Sequence, residues 1–538
     1  MGAAVYAPRP SGSAEGKVGF NYGVNPLTCS LAMLVSAALG GSGDARPLPV
    51  TMQDDALMLH GSAASVRSTA RRMAKVGADR VRLTAGWSVI APDPTARQMP
   101  HFNPADPDQY PHWSRLDRAV KASTSAGLDV QIDLAFYAPR WAVQRKRRAS
   151  RGRYRWNPDP VLFGKFSEAV ARRYSGRHPD PARPGRRLPA VRMWTTWNEP
   201  NGSTFLLPQW ERQNGSWVPH SPHLYREMHE QGYAAIKRIN DENQVLIGGT
   251  AALGSDIRGG NHGIPPLRFV RELACVDRRL RPLERPECSD FQPLQADGYA
   301  HHPYSLYQRP DDRSVNPDDV TIGDLDRLSR LLDRLYRLGR ITTRLPIYIT
   351  EYGYETNPPD VVRGVGLQQQ ARYHGLATYL AWKQEDVSMF AQFQLNDVAP
   401  PAGARGPVGQ SRDWQTGLYF NDGRPKPAAQ AFRVPFWAEA DSVAGTELVV
   451  LFGQVRPNSG RKRIEIEMHA PDGTWIPAQT YETRPAGDFN CGSNTTSFLT
   501  DAEGTYLRAA PYQGPATYRA RWIKGNGKSE YGVTITVR

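Results

Sequence analysis

The chain reads as an α/β protein, a (β/α)8 TIM barrel followed by a smaller all-β sandwich. Three observations predict this. Between about residues 50 and 440, short β-branched runs alternate with segments whose apolar residues recur three and four apart, eight times over. That alternation is the pattern of parallel strands with covering helices. From Thr446 the helical spacing stops, and short strands follow, punctuated by turns such as Pro471-Asp472-Gly473 and Gly525-Asn526-Gly527. Finally, 538 residues are too many for one ordinary domain, whereas a barrel absorbs about 250 to 400. The expected division is a leader and linker over 1–50, a barrel over 51–440 and a sandwich over 441–538.

Taken in order, Ala56 to His60 reads as the first strand, and Val66, Ala70, Met73 and Ala74 as a helix stopped by Gly77. Arg80 to Thr84 is the second strand and runs on towards Trp87. Leu116, Ala119, Val120 and Ser123 share one helical face, and Asp129 to Leu134 is the third strand. Phe163, Phe166, Val170 and Tyr174 mark the next helix. A fourth strand begins at Val191, and a helix over Leu224 to Ile239 leads to the fifth, Val245 to Ile247. Asp297 to His301 is the sixth. Leu325, Leu328, Leu332 and Leu335, with charges between them, form the clearest amphipathic helix. Leu345 to Thr350, a helix over Gln368 to Lys383, and Met389 to Leu395 complete the strands, and Lys426-Pro427 opens a last helix.

Two of these strands end in a glutamate. The fourth delivers Trp197-Asn198-Glu199-Pro200-Asn201, where Pro200 halts pairing and turns Glu199 out of regular geometry. The seventh delivers Ile349-Thr350-Glu351-Tyr352-Gly353. In a parallel barrel the carboxyl ends of the strands gather on one face, so two such carboxylates meet across one cleft. Paired carboxyl groups are the minimum equipment for cleaving a glycosidic bond.

These motifs resemble those of clan A retaining glycoside hydrolases, families 39 and 5 in particular. The resemblance implies that Glu199 is the acid/base and Glu351 the nucleophile, with the two carboxyl groups about 5–5.5 Å apart. It also implies that Arg82, at the end of the second strand, supports the nucleophile, and that Asn198 bonds the sugar 2-hydroxyl. His302-Pro303-Tyr304 is similar to the His-x-Tyr of family 5, with Tyr304 touching the nucleophile and His302 the acid/base or the sugar. An acid must keep its proton, which calls for apolar neighbours or nearby negative charge, and Trp197 and Glu351 offer both. One departure stands out. Where family 5 ends its eighth strand with a Trp platform, this chain has Phe390-Ala391-Gln392-Phe393-Gln394-Leu395, and Trp414 on the next loop is the nearest substitute. In the long Ser203–Pro222 insertion, Trp210 and Trp217 either border leaving-group subsites or anchor the loop.

The net charge is +14. With no zinc spacing, RNA-binding aromatic signature or recognition helix, that charge points to an anionic saccharide or cell surface rather than to nucleic acid. Arg140 to Arg155, just beyond the third strand, holds eight basic residues and no acid; it is either a solvated loop or a holder of anionic polymer. His301-His302 lacks further ligands at metal spacing, so neither metal nor cofactor is expected. Cys275 and Cys288 either pair or stand as separate thiols, while Cys29 and Cys491 have no close neighbour in sequence. Leu27 to Leu39 is too short to cross a bilayer, and with the Gly40–Ala45 stretch it reads as a signal-peptide core and cleavage zone. Secretion or cell-surface display is the expectation, a disordered cytoplasmic tail the alternative. A transglycosylase and a non-catalytic glycan-binding barrel are the competing functions.

Overall fold

The computed structural model describes residues 46–144, 154–255, 257–400, 402–404, 406, 409, 414–443, 446–482 and 496–538. The proposed signal segment, Cys29, Cys491 and residues 145–153 of the basic run lie outside them. Eight strands close into a barrel: β1 (Val50–Gln53), β2 (Arg80–Gly86), β3 (Asp129–Ala135), β4 (Met193–Thr196), β5 (Gln244–Ala251), β6 (Gly298–His302), β7 (Ile347–Ile349) and β8 (Val387–Phe393). Every neighbouring pair is parallel, and β1 closes the ring by pairing with both β2 and β8. The chain is therefore a (β/α)8 barrel, with antiparallel sheets after it.

The expectation that Ala56–His60 forms the first strand is wrong. That segment belongs to helix α1 (Asp55–His60), and the strand is the preceding Val50–Gln53. The reason is local. Val50 and Thr51 are β-branched and suit the sheet, whereas the Asp54 side chain accepts from Leu57 N at 3.0 Å and caps a helix. Asp54 also accepts from the backbone of Leu395 and Asn396, so the cap is docked onto the end of β8.

The remaining helices follow their sequence periodicity. Helix α2 (Ala63–Val76) ends at Gly77, whose φ of 104° needs a residue without a Cβ. A side chain there would also strike Arg456, whose Cβ lies 2.3 Å from the added position. Trp194 and Ile132 of the strands face the helices and join one large core with Phe163, Phe166 and Tyr225. Met193, Leu246, Ala300, Tyr348 and Met389, one from each of β4 to β8, form a separate cluster on the other side of the sheet. This layer fills the barrel interior. No helix among the described residues is long and apolar enough to cross a membrane.

After residue 435 the strands are antiparallel. The first of them, Phe436–Val443, was not anticipated; its Ala, Glu and Asp residues hide a strand that pairs along its whole length with Thr446–Gln454. A four-stranded and a six-stranded sheet result. Val449 and Leu451 from one, and Ile464 and Ile466 from the other, share one core. Cys275 and Cys288 form a disulfide, which decides between the two sequence readings.

Candidate active site

The site is built at the carboxyl ends of the barrel strands. After β4 the backbone turns sharply, with φ of 68° at Trp197 and 42° at Glu199. Two hydrogen bonds hold the turn: Trp197 N to Leu134 O at 2.7 Å, and Glu199 N to Gly249 O at 2.8 Å. Asn201, which ends the motif, faces away from the cleft and staples this turn to β5. It accepts from Ala251 N and donates to Ala251 O and Ile264 O. On the opposite side β7 runs out through Thr350 into Glu351. Gly353 follows because a Cβ there would sit 2.5 Å from Phe393 O.

The six residues singled out in the sequence come together in one cluster. His302 Nδ1 lies 3.0 Å from Glu199 Oε1 and 3.7 Å from Glu351 Oε2. One oxygen of each glutamate and this nitrogen all lie within 4.8 Å of one another. Tyr304 OH donates to Glu351 Oε2 at 3.2 Å, and Arg82 Nη1 donates to Glu351 Oε1 at 2.5 Å. Arg82 Nη2 donates to Asn198 Oδ1 at 2.9 Å, which assigns the asparagine oxygen inward and leaves its NH2 as the end for another acceptor.

The two carboxylates have unlike surroundings. Burial pushes Glu351 up, but the charges of His302 and Arg82 and the bonds from Arg82 and Tyr304 outweigh it and hold the carboxyl below its usual range. Glu199 is the more open of the two, with 21% of its side chain exposed against 11% for Glu351. Tyr304 is driven well up by burial and then by Glu351, so it remains a donor.

Several contributors were not legible in the sequence. Asp133 accepts from Arg82 Nη2 at 2.8 Å and from Thr195 Oγ1 at 2.7 Å, and Gln53 accepts from Arg82 Nη1. Asp133 is pushed up to about 6, by burial above all, even though it is paired. One guanidinium serves two buried carboxylates here. The signal for Asp133 was its alternation with Gln131 on a strand whose other buried residues are apolar, which places both in the barrel interior.

The aromatic surroundings are also set. Trp414 is 48% exposed and lies 6.5 Å from Tyr304 between ring centroids, at 21°, and 5.7 Å from Phe393. Trp210 is buried, donates to His262 O at 2.7 Å and anchors the insertion, as the plainer reading had it. Trp217 is 37% exposed and packs on Gly259. The described residues include two sets able to hold a metal ion. One, His223 with Cys275 and Cys288, is consumed by the disulfide. The other is Glu199, His302 and Glu351, whose atoms are already engaged by each other, Arg82 and Tyr304.

No family model matches the chain, and no curated protein matches it. Among solved structures, it is similar to a family 39 glycoside hydrolase from the gut symbiont Bacteroides cellulosilyticus at 14% identity, over 86% of this chain and 81% of that one, with a TM-score of 0.49. It is also similar to a glucosidase from Croceicoccus marinus at 13% identity, over 88% and 97% of the two chains, with a TM-score of 0.46. An endo-β-1,4-mannanase from Thermotoga petrophila matches at 12% identity over 93% and 99%, with a TM-score of 0.38.

Proposed function

We propose that the protein is a retaining O-glycoside hydrolase acting on a β-linked saccharide. The observation that carries the reading is the carboxylate pair itself. Glu199 and Glu351 present oxygens within 4.8 Å of each other across one nitrogen of His302. That spacing favours direct attack by one carboxylate, since about 6.5–9.5 Å is needed to seat a water between them.

The roles follow from the surroundings. Glu351, held ionised by Arg82 and Tyr304, attacks the anomeric carbon while Glu199 gives its proton to the leaving oxygen. The C–O bond to the leaving group breaks, and a glycosyl ester on Glu351 forms. Glu199, now a carboxylate, takes a proton from water, which attacks the same carbon and frees Glu351. Two inversions leave the configuration retained. His302 donates to Glu199 in the carboxylate state, and the Asn198 NH2 faces a sugar hydroxyl. Trp414 provides the flat apolar face on which a sugar ring stacks.

A sugar hydroxyl in place of water makes the same chemistry transglycosylation. The Cys275–Cys288 disulfide favours an oxidising compartment and hence export, in line with the apolar stretch Leu27–Leu39. The test is Glu351→Gly on an activated aryl β-glycoside. Its turnover should fall by about 10^4 or more and return with azide as a glycosyl azide of inverted configuration. Full activity without azide would remove Glu351 from the mechanism.

A further inference from the structure

The segment carrying Trp414 is fastened from beneath by a buried lysine. Lys426 stands just ahead of helix Pro427–Arg433 and its side chain is fully buried. Its ammonium donates to Asp397 Oδ1 at 2.6 Å, Thr356 Oγ1 at 2.7 Å and Gln415 O at 3.1 Å. All three protons are used, and the acceptors come from three loops. Thr356 follows β7 and the nucleophile, Asp397 follows β8, and Gln415 is the residue after Trp414.

The neighbouring bonds continue the clasp. Asp397 Oδ1 also accepts from Gly417 N at 3.0 Å, and Gln392 Nε2 donates to Thr416 O at 3.0 Å. Val398 N donates to Trp414 O at 2.9 Å. Gly417 leaves no room for change, since a Cβ there would lie 2.3 Å from Asp397 N. Desolvating two charges is costly, and apolar pairs of similar volume often serve stability as well or better. Stability alone therefore gives little reason for a buried ion pair here. What it does provide is a fixed relation between the nucleophile's loop and the tryptophan.

We propose that Lys426 is a positioning residue that sets the plane of Trp414 beside Tyr304 and so orients the sugar ring over Glu351. This deepens the glycosidase reading and rests on it. The test uses the full chain with Lys426→Met and Asp397→Asn combined, so that no carboxylate is left buried and unpaired. With the best aryl glycoside found by screening, kcat/KM should fall at least tenfold, mainly through kcat. In a Trp414→Ala background the same pair of substitutions should change it less than twofold. Equal losses in both backgrounds, or no loss with Trp414 present, would overturn the proposal. A second measurement needs no turnover. With fluorotryptophan incorporated, the Trp414 resonance, assigned by Trp414→Phe, should shift or broaden in the double variant while the others hold. An unmoved Trp414 resonance overturns the anchor; a moved one with no glycoside hydrolysed by the parent chain separates failure of the catalytic reading from failure of this one.

Discussion

Arg82→Met is the most informative single change. In the folded chain the guanidinium is 1% exposed and bonds Glu351, Asp133, Asn198 and Gln53. Its loss strands two carboxylates, one fully buried and one 11% exposed. Removing one partner of a buried ion pair costs about 3–5 kcal/mol, and with two carboxylates stranded the upper part of that range is expected. The penalty should depend on pH, and the sign can be worked out. Asp133 already sits at about 6, raised by burial against the pull of Arg82. A raised carboxyl contributes stability that is complete below its unfolded value of 3.8 and lost as pH rises through the folded one. Without Arg82 it rises further, so the variant's deficit should shrink between about pH 7.5 and 5.

Glu351 works the other way. Held below 4.5, it contributes stability above its unfolded value and loses it as pH falls through the folded one. In the variant its value moves up, so the acid limb of kcat/KM should move up with it. Urea unfolding at the two pH values and a pH–rate profile make the check. A loss under about 1 kcal/mol at both pH values, or an unmoved acid limb, would refute the account of Arg82 as shared counter-charge.

Three further outcomes are expected. Replacing Cys275 and Cys288 by Ser should lower the barrel's stability by about 3 kcal/mol, seen calorimetrically as a lower Tm, with kcat unchanged. Glu355, pushed up to about 8 by burial and then by Asp360, contributes stability that is complete below 4.5 and lost as pH rises through about 8. Tm should therefore fall as pH rises from about 4.5 to 8 and level off above that, and Glu355→Gln should flatten the fall. Replacing Arg145, Lys146, Arg147 and Arg148 by Ser should raise KM on an anionic polysaccharide and flatten its salt dependence, because exposed charges act over about 8–10 Å at physiological salt. Hydrolysis of a small neutral glycoside should hardly respond, and an equal response of both substrates would exclude a selecting role for that stretch.

Much of the molecule was legible because its signals are local. Helix Leu325–Arg337 follows from leucines three and four apart, and the antiparallel region after Thr446 from short β-rich runs between turns. Glu199 and Glu351 were found because each stands inside a short motif. What stayed hidden depends on closure. Asp133 meets Arg82 only when β2 and β3 lie side by side, and Lys426 meets Thr356 across 70 residues of chain. The error at Ala56–His60 has the same origin. The apolar run is equally good in a helix or a strand, and Asp54 settles it by capping one end while bonding Asn396 across the barrel seam.

The backbone at Trp197 and Glu199 shows why the motif needs its surroundings. Two non-glycine residues in left-handed geometry, one apart, cost of order 1–3 kcal/mol each. The cost is met by bonds and packing between the motif and the rest of the barrel. Trp197 is fully buried and packs edge-on against Phe163 at 5.7 Å, while Gly249, itself at a φ of 61°, offers its carbonyl to Glu199 N. Asn201 then locks the exit of the turn to β5. The conformation lifts the Glu199 carboxyl off the strand direction and towards His302. An ordinary extended residue 199 would continue the alternation of β4 and point elsewhere. The turn is therefore what presents the Glu199 carboxyl to His302 and, beyond it, to Glu351.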